Sequence, residues 1–212
     1  VATYAVGAFL LRTDRGAEWV RARVEGALQE MVGTGGRVTV GALSLSPLGS
    51  MRLDTLAVHD STGTLILSSG PVEARFDVLP LTDRLLHLRY AAITRPLAHL
   101  VADSAGAWNV AVLFAGSSGA GRPASAALAW RVVVDSLDLR DGLLRTERLG
   151  APGAPPDTMR FAGLAMALGA SRYHTGTGAG EVVLRHLAGR SSAPPLDVRN
   201  AEGTIVLFRD SA

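Results

Sequence analysis

The sequence contains no cysteine and no lysine. Without cysteine the chain cannot build a disulfide scaffold, bind a metal through thiolates or use a thiol nucleophile. All 21 basic residues are arginines. This indicates either a GC-rich coding sequence or a role for planar guanidinium groups in binding anionic headgroups or phosphates. Aromatic residues make up only 5% of the chain, so its 48% hydrophobic content is mainly aliphatic.

Runs of like charge are also missing from the sequence. The formal net charge is only +2, so the high pI of about 9.6 reflects the arginines and not a strongly basic surface. A nucleic-acid-binding protein usually concentrates basic residues in a patch or stripe. The charge pattern therefore predicts that nucleic acid is not the partner.

The residues that could carry catalysis or bind a metal form no recognisable motif. The glycine-rich segment 116–121 lacks the Lys-Ser/Thr of a phosphate-binding loop. Asp135, Asp138 and Asp141 are spaced by three, whereas calcium loops of the EF type place their ligands two apart. The histidines show no metal-ligand spacing, and His87 is expected to be solvated. We predict no enzymatic activity, no cofactor and no metal site.

A repeated phrase is the most informative feature that the chain does contain. A strand of alternating apolar residues reaches Asp or Asn, then glycine, then a second strand, and the four copies are Leu56–Leu65, Leu100–Trp108, Leu137–Leu144 and Leu196–Ile205. Asp or Asn followed by Gly favours tight hairpin turns, and apolar alternation gives each strand one apolar face. The sequence predicts a mainly β fold with an N-terminal helix. Its sheet should be extended, curved and antiparallel, and built from repeated hairpins.

The flanking and linking segments suggest a domain organisation. Residues 1–12 are almost uncharged and are interpreted as the end of a transmembrane helix, with a signal-peptide remnant or a buried strand as alternatives. Residues 13–33 predict an amphipathic helix. A Gly/Ser/Ala linker at 115–127 separates a first β-rich unit at 37–114 from a second at 128–212, which we expect to be truncated.

Several short motifs resemble, in their order and spacing, the N-terminal part of the AsmA-like family, which includes the TamB-like proteins. The motifs lie at Thr13–Val20, Arg37–Ser46, Leu56–Gly63, Val72–Leu81 and Leu88–Asn109. The resemblance implies a bridge-type lipid-transfer protein, held in the bacterial inner membrane by a single-pass anchor, with most of the chain in the periplasm. It also implies a β-groove (β-taco-like) sheet with an apolar inner face, acting in envelope lipid transport or outer-membrane assembly.

An apolar strand face that no other sheet covers can shelter acyl chains while its polar face meets water. Each buried CH₂ contributes about 0.8 kcal/mol, so a uniform aliphatic wall holds a lipid tail and still lets it slide. The expected partner is phospholipid or another membrane lipid. Alternation selects seven candidate lining residues without establishing which face they share: Val38, Val40, Leu53, Val72, Phe76, Val132 and Val134.

A structural or accessory role is the alternative function. About a dozen strands extend at most roughly 60 Å, which is short for a bridge between two membranes. The same fold, closed over its own core, would then dock on a larger respiratory, photosynthetic or secretory membrane complex. The docking surfaces would be the N-terminal helix and an exposed sheet edge, which readily pairs with another chain. The partners would be integral membrane protein subunits.

Overall fold

The computed structural model of the chain describes residues 18, 21–22, 25–26, 28–29, 32, 36–46, 48–110, 131–150, 155–174 and 179–207. The predicted membrane segment 1–12 and the whole of the predicted linker 115–127 lie outside these residues. None of the described helical residues belongs to a helix long and apolar enough to span a membrane.

The described residues between 18 and 32 have helical backbone geometry. They are Glu18, Arg21, Ala22, Glu25, Gly26, Leu28, Gln29 and Val32. All eight fall within the predicted amphipathic helix 13–33, whose full extent goes beyond the described residues. Leu28 and Val32 pack with the buried residues of the first strands.

The rest of the described chain is mainly β, as predicted. The strands before residue 111 are β1 (Gly36–Val40), β2 (Leu43–Ser46), β3 (Ser50–Leu53), β4 (Leu56–Asp60), β5 (Leu65–Ser69), β6 (Val72–Phe76), β7 (Leu85–Thr94) and β8 (Leu97–Ala102). Those after residue 130 are β9 (Arg131–Val134), β10 (Leu137–Arg148), β11 (Asp157–Leu168), β12 (Ser171–His174), β13 (Ala179–Ser192), β14 (Pro195–Val198) and β15 (Gly203–Leu207). A 3₁₀ helix, Leu79–Asp83, interrupts the strands between β6 and β7.

The 15 strands form one sheet, and most of them are halves of longer, bent rows. The rows are A (36–46, β1 and β2), B (50–60, β3 and β4), C (65–76, β5 and β6), D (85–102, β7 and β8), E (131–148, β9 and β10), F (157–174, β11 and β12), G (179–192, β13) and H (195–207, β14 and β15). Each row pairs with the next one along the chain. The rows therefore follow one another across the sheet in chain order, and rows on both sides of the predicted linker belong to it.

Rows D and E are parallel, which corrects the prediction of a wholly antiparallel sheet. Each paired residue of row D faces the residue 46 positions later, as in Leu85↔Arg131, Ala91↔Leu137 and Leu97↔Leu143. Parallel neighbours need a crossover connection of a dozen residues or more, whereas antiparallel neighbours need only a tight turn. Residues 103–130 make this connection, so the sheet is mixed.

The first two copies of the repeated phrase form the same turn. Asp60 Oδ1 accepts hydrogen bonds of 2.8 Å from the N–H groups two and four residues later, and Asp103 Oδ1 does the same at 2.9 Å. Gly63 and Gly106 both have φ of +85°, a conformation that glycine adopts without steric cost. At Asp60 the predicted hairpin is confirmed, since β4 and β5 pair on either side of the turn. At Asp103 the predicted turn forms, but the described residues after it make only a single bridge, Ala102↔Trp108, followed by helical residues 109–110, so the predicted second strand does not form there.

The last two copies are not hairpin turns, and their prediction was wrong. Asp141, with φ of +53°, and Gly142 lie inside β10, at register shifts in its pairing with β11. β14 and β15 both pair with β13, so residues 199–202 bend row H without reversing it. The same Asp/Asn-Gly chemistry supplies positive φ and irregular backbone for bulges as well as for turns.

The fully buried hydrophobic residues that the structure describes are confined to rows A–D and the helical segment. They are Val32, Val38, Val40, Leu43, Leu53, Val58, Ile66, Ala74, Ala91, Ala92 and Ala102. Ile66 is the largest side chain that is fully enclosed. It is unpaired in the β4–β5 ladder, because Val58 faces Leu67 and His59 faces Leu65. A bulge thus places Ile66 in the core cluster.

Candidate functional site

Strand pairing defines two faces of the sheet, because residues directly opposite each other lie on the same face and residues alternate along a row. One face, the apolar face, carries Val38, Val40, Leu43, Leu45, Met51, Leu53, Leu56, Val58, Leu67, Val72, Ala74, Phe76, Leu86, Leu88, Ala91, Ile93, Ala98, Leu100, Ala102, Val132, Val134, Leu137, Leu139, Leu144, Met159, Phe161, Leu164, Met166, Leu168, Tyr173, Val182, Leu184, Leu187, Leu196, Val198, Ile205 and Leu207. The apolar face crosses all eight rows.

The pairing register brings all seven predicted lining residues to this one face. Val38, Val40, Leu53 and Val72 follow directly from the ladders of rows A–C. In the next rows, Phe76 faces Leu88, and Leu88 faces Val134. Val132 lies two residues before Val134 in the same strand and therefore on the same face. It pairs with Tyr173, which in turn pairs with Gly180. Alternation in the sequence did not establish which face these residues share. The pairing register shows that they share the apolar face.

Burial divides these seven residues into two groups. Val38, Val40 and Leu53 are enclosed in the core cluster under Leu28 and Val32. Protein atoms already cover their side chains, so these three residues stabilise the fold and are not accessible to a ligand. Three of the seven residues that the sequence predicts as groove-lining candidates are therefore core residues.

The other four residues, Val72, Phe76, Val132 and Val134, remain half-buried. Val72, on row C, packs against the core cluster, whereas Phe76 on row C and the two valines on row E lie outside that cluster. At the end of the sheet, Val132 and Tyr173 border an open cleft of about 520 Å³. This group is available for contact with another molecule.

Rows E–H carry an apolar face that the described residues do not seal. Fully buried hydrophobic side chains are found among the described residues of rows A–D but not of rows E–H. On row H, Leu196 is 48% exposed and Ile205 is 53% exposed. A monomeric soluble protein rarely leaves a large contiguous apolar surface uncovered, and such surfaces mark sites of interaction.

Two glycines open space on this part of the apolar face for Leu164. A Cβ on Gly189 would lie 2.7 Å from Leu164 Cδ2, and a Cβ on Gly142 would lie 3.1 Å from Leu164 Cβ. The Leu164 side chain therefore lies over bare backbone on both neighbouring rows. Sequence reasoning missed this residue because the bulge at Gly163, with φ of +60°, breaks the alternation of row F.

The opposite face, the polar face, carries ion pairs along and between rows. Arg52 pairs with Glu73 across rows B and C. On row E, Arg145 Nη2 lies 2.7 Å from Glu147 Oε1. Arginine and carboxylate side chains on this face remain partly exposed, so it is the solvent face of the sheet. The polar face thus carries the ion pairs, interspersed with apolar residues such as Leu97 and Leu143, whereas the apolar face is mainly aliphatic.

His87, which was expected to be solvated, is instead held between two carboxylates on the polar face. Its Nδ1 lies 2.8 Å from Asp77 Oδ2, and its Nε2 lies 3.0 Å from both oxygens of Asp135. Arg89 Nε also contacts Asp77, at 2.6 Å. Both ring nitrogens face carboxylate acceptors, an arrangement that favours the imidazolium form, in which each nitrogen carries a proton. This cluster ties row E to row D and the segment after row C.

The charge of His87 makes stability depend on pH. The hydrogen bond with Asp135 raises the pKa of His87 above its ordinary value of 6.5; partial burial lowers that pKa, and the charges of Asp135 and Asp77 raise it. A raised folded-state pKa stabilises the fold below pH 6.5, and this contribution is lost as pH rises through the folded-state pKa. We expect His87→Gln to destabilise the protein most at pH 5.5 and progressively less at higher pH.

Urea denaturation of the native chain and of His87→Gln across pH 5.5 to 9 measures this difference in the free energy of unfolding. Asp135→Asn is the matched control, because it removes the main partner and leaves the imidazole in place. It should shift the pH dependence of the native chain toward that of His87→Gln. A difference between native and His87→Gln that stays constant with pH would show that the ring is neutral in the fold.

The described residues contain no group of three His, Asp or Glu side chains that could hold a metal ion. Comparison of the chain with protein-family models and with curated proteins found no match. The function is therefore inferred from the geometry of the sheet. Its most distinctive property is a long apolar face that is buried at rows A and B and that the described residues leave partly exposed on rows E–H.

Proposed function

We propose that the apolar face of rows E–H, which the described residues leave partly exposed, shelters the acyl chains of membrane lipids together with the adjoining Phe76. The observation that carries this proposal is the change in burial along one continuous aliphatic surface. Helical residues cover the face at rows A and B, whereas side chains such as Phe76, Val134 and Ile205 remain partly exposed. A hydrocarbon chain is stabilised by burying its apolar surface against such a face, and it needs no polar partner there.

The chemistry of the face also suits movement of a lipid along it. Its exposed part consists mainly of Leu, Val, Ile and Met, without a charged anchor in its middle. Each buried CH₂ contributes about 0.8 kcal/mol wherever it lies on such a wall, so binding is retained when the chain slides. Curvature of the sheet into a groove would increase the area buried per lipid, and we include this curvature in the proposal.

The resemblance to AsmA-like proteins extends the proposal to a cellular setting. In this setting the protein is anchored in the bacterial inner membrane by its N-terminal segment, and the sheet lies in the periplasm. It then acts in envelope lipid transport or outer-membrane assembly. The proposed role is non-enzymatic, since a sliding surface needs no bond-breaking residue.

Mass spectrometry of the intact protein, extracted gently from its native membrane, tests this proposal. We expect phospholipid to be bound in stoichiometric amounts. A chain that carries no lipid, and that neither takes up nor protects an added fluorescent phospholipid, would show that the face has another use.

One observation favours a second function, an accessory subunit of a membrane complex. Every residue of β15 is exposed, and this edge strand contains no charged residue. An edge of this kind can accept a strand from another subunit. A fixed set of co-extracted protein partners without lipid would support the subunit function over lipid sheltering.

A further inference from the structure

Cross-strand pairs of charged residues follow a pattern that is broken at one place. In the described ladders, arginine lies directly opposite an acidic residue at Arg52↔Glu73, Arg148↔Asp157, Arg172↔Glu181 and Arg190↔Asp197. In the same ladders, arginine lies opposite arginine only at Arg145↔Arg160, between rows E and F. Because like charges directly opposite each other are destabilising, this arginine pair has an energetic cost in the free protein.

The carboxylates around this arginine pair neutralise only part of its charge. Glu147 Oε1 lies 2.7 Å from Arg145 Nη2 and 3.2 Å from His99 Nε2. Arg160 is exposed and forms no ion pair with a carboxylate of the described residues. The connecting segments 111–130 and 151–154, which lie outside the described residues, contain no Asp or Glu. The arginine pair therefore keeps positive charge that an anion from outside the chain can neutralise.

An open cleft of about 660 Å³ lies beside the arginine pair on the polar face. It lies past the end of the ladder between β5 and β8, whose described pairs are Leu67↔Ala98 and Ser68↔Leu97. Hydrogen-bond donors and apolar side chains both line it, among them Arg145, Arg160, Thr158, Leu65, Leu97 and Leu143. A concave site with apolar walls and a few polar groups is typical of a small-molecule site, and these polar groups favour an anion.

We propose that Arg145 and Arg160 bind the phosphate group of an amphiphilic ligand, whose apolar part lies against Leu97 and Leu143. Each guanidinium group has five N–H donors in a planar fork that fits phosphate oxygens, so Arg145 can hold Glu147 and still donate to a phosphate. A phosphate between the two arginines replaces their repulsion by charge-assisted hydrogen bonds. The phosphate belongs either to a lipid headgroup or to a soluble organic phosphate. The site lies on the polar face and does not rest on lipid sheltering by the apolar face.

Isothermal titration calorimetry of the full chain with hexyl phosphate tests the proposal. We expect saturable binding that is tighter than that of inorganic phosphate, which lacks the apolar part. Arg145→Gln and Arg160→Gln should each weaken binding about tenfold or more, because each removes charge-assisted hydrogen bonds. Arg52→Gln is the matched control, since it makes the same change of charge on the polar face at an arginine that faces Glu73. Absence of saturable binding, or equal weakening in all three variants, overturns the proposal.

Arg160→Glu distinguishes a binding site from a purely structural pair. This variant places an acidic residue opposite Arg145, so the free protein should melt at a higher temperature than the native chain. Hexyl phosphate should raise the melting temperature of the native chain but not that of Arg160→Glu. A variant that melts no higher than the native chain, or that hexyl phosphate still stabilises, overturns the proposal.

Flotation with vesicles of phosphatidylcholine, with and without phosphatidic acid, identifies the source of the phosphate. Stronger binding to the vesicles that contain phosphatidic acid, lost in Arg160→Gln, supports a lipid headgroup. Binding of hexyl phosphate without any preference for phosphatidic acid supports a soluble organic phosphate. If the native chain neither binds hexyl phosphate nor prefers phosphatidic acid, the proposal is wrong, whatever the apolar face binds.

Discussion

Val132→Asp and Val134→Asp are expected to lose bound lipid, whereas Val133→Asp keeps it. The three valines are consecutive in β9, and all are half-buried. Val132 and Val134 lie on the apolar face, and Val133 lies on the polar face, opposite His87 and Arg172. A carboxylate at 133 therefore meets cationic neighbours, whereas one at 132 or 134 would face the hydrocarbon of a lipid.

The loss should be large, because a carboxylate buried against hydrocarbon has no partner to offset its desolvation. Losing the burial of a valine side chain alone costs about 1.5 kcal/mol, which is about a tenfold change in affinity. The ratio of phospholipid to protein in the extracted variants measures the effect, with circular dichroism as the check on folding. Equal lipid loss in all three variants, or in none, would refute a lipid site on this face of row E.

Ile66→Ala is expected to lower the free energy of unfolding by about 2–5 kcal/mol. Ile66 is fully enclosed in the core cluster, and its truncation leaves a cavity that rigid strands on both sides cannot fill. A domain is usually stable by only about 5–15 kcal/mol, so this loss is a large fraction of the total. Ile66→Val, which removes one methylene group, should cost about 0.5–1.5 kcal/mol.

Urea denaturation gives the free energies for this comparison, and the exposed Leu48 provides the control. Leu48→Ala should change stability by less than about 0.5 kcal/mol, because Leu48 buries little surface. If Ile66→Ala were no more destabilising than Leu48→Ala, the bulge in row C would not place Ile66 in the core.

Local pattern was enough to predict the strands and the first two turns. Alternation of apolar residues is a property of neighbouring positions, and the turn at Asp60 is held by hydrogen bonds that span four residues. The shared face of the seven candidate residues was not predictable in the same way. Bulges at Ile66, Asp141 and Gly163 shift the alternation, so counting by twos along the sequence loses the face after each bulge.

Features that join distant parts of the chain were missed for a different reason. The His87 cluster draws Asp77 and Asp135 from separate rows, and no local spacing connects residues 48 positions apart. The parallel pairing of rows D and E was not predicted for the same reason, because the hairpin signals in the sequence favour antiparallel neighbours. The hydrogen bond that Gln29 accepts from Val38 N in β1 also depends on where the helical segment lies on the sheet.

The constant separation of paired residues between rows D and E has a consequence for how the chain folds. Within rows A–D and within rows E–H, each row pairs with its neighbour in the sequence, so these contacts can form from short loops. Every pair between rows D and E closes a loop of the same length, from Leu85↔Arg131 to Ala102↔Arg148. The conformational entropy of closing that loop is therefore lost once, when the first pair forms. The remaining pairs then form beside an existing pair and close no further long loop. The ladder between rows D and E joins residues further apart in the sequence than any other described ladder does, so we expect the two meanders to form first and their joining to be the slow step of folding.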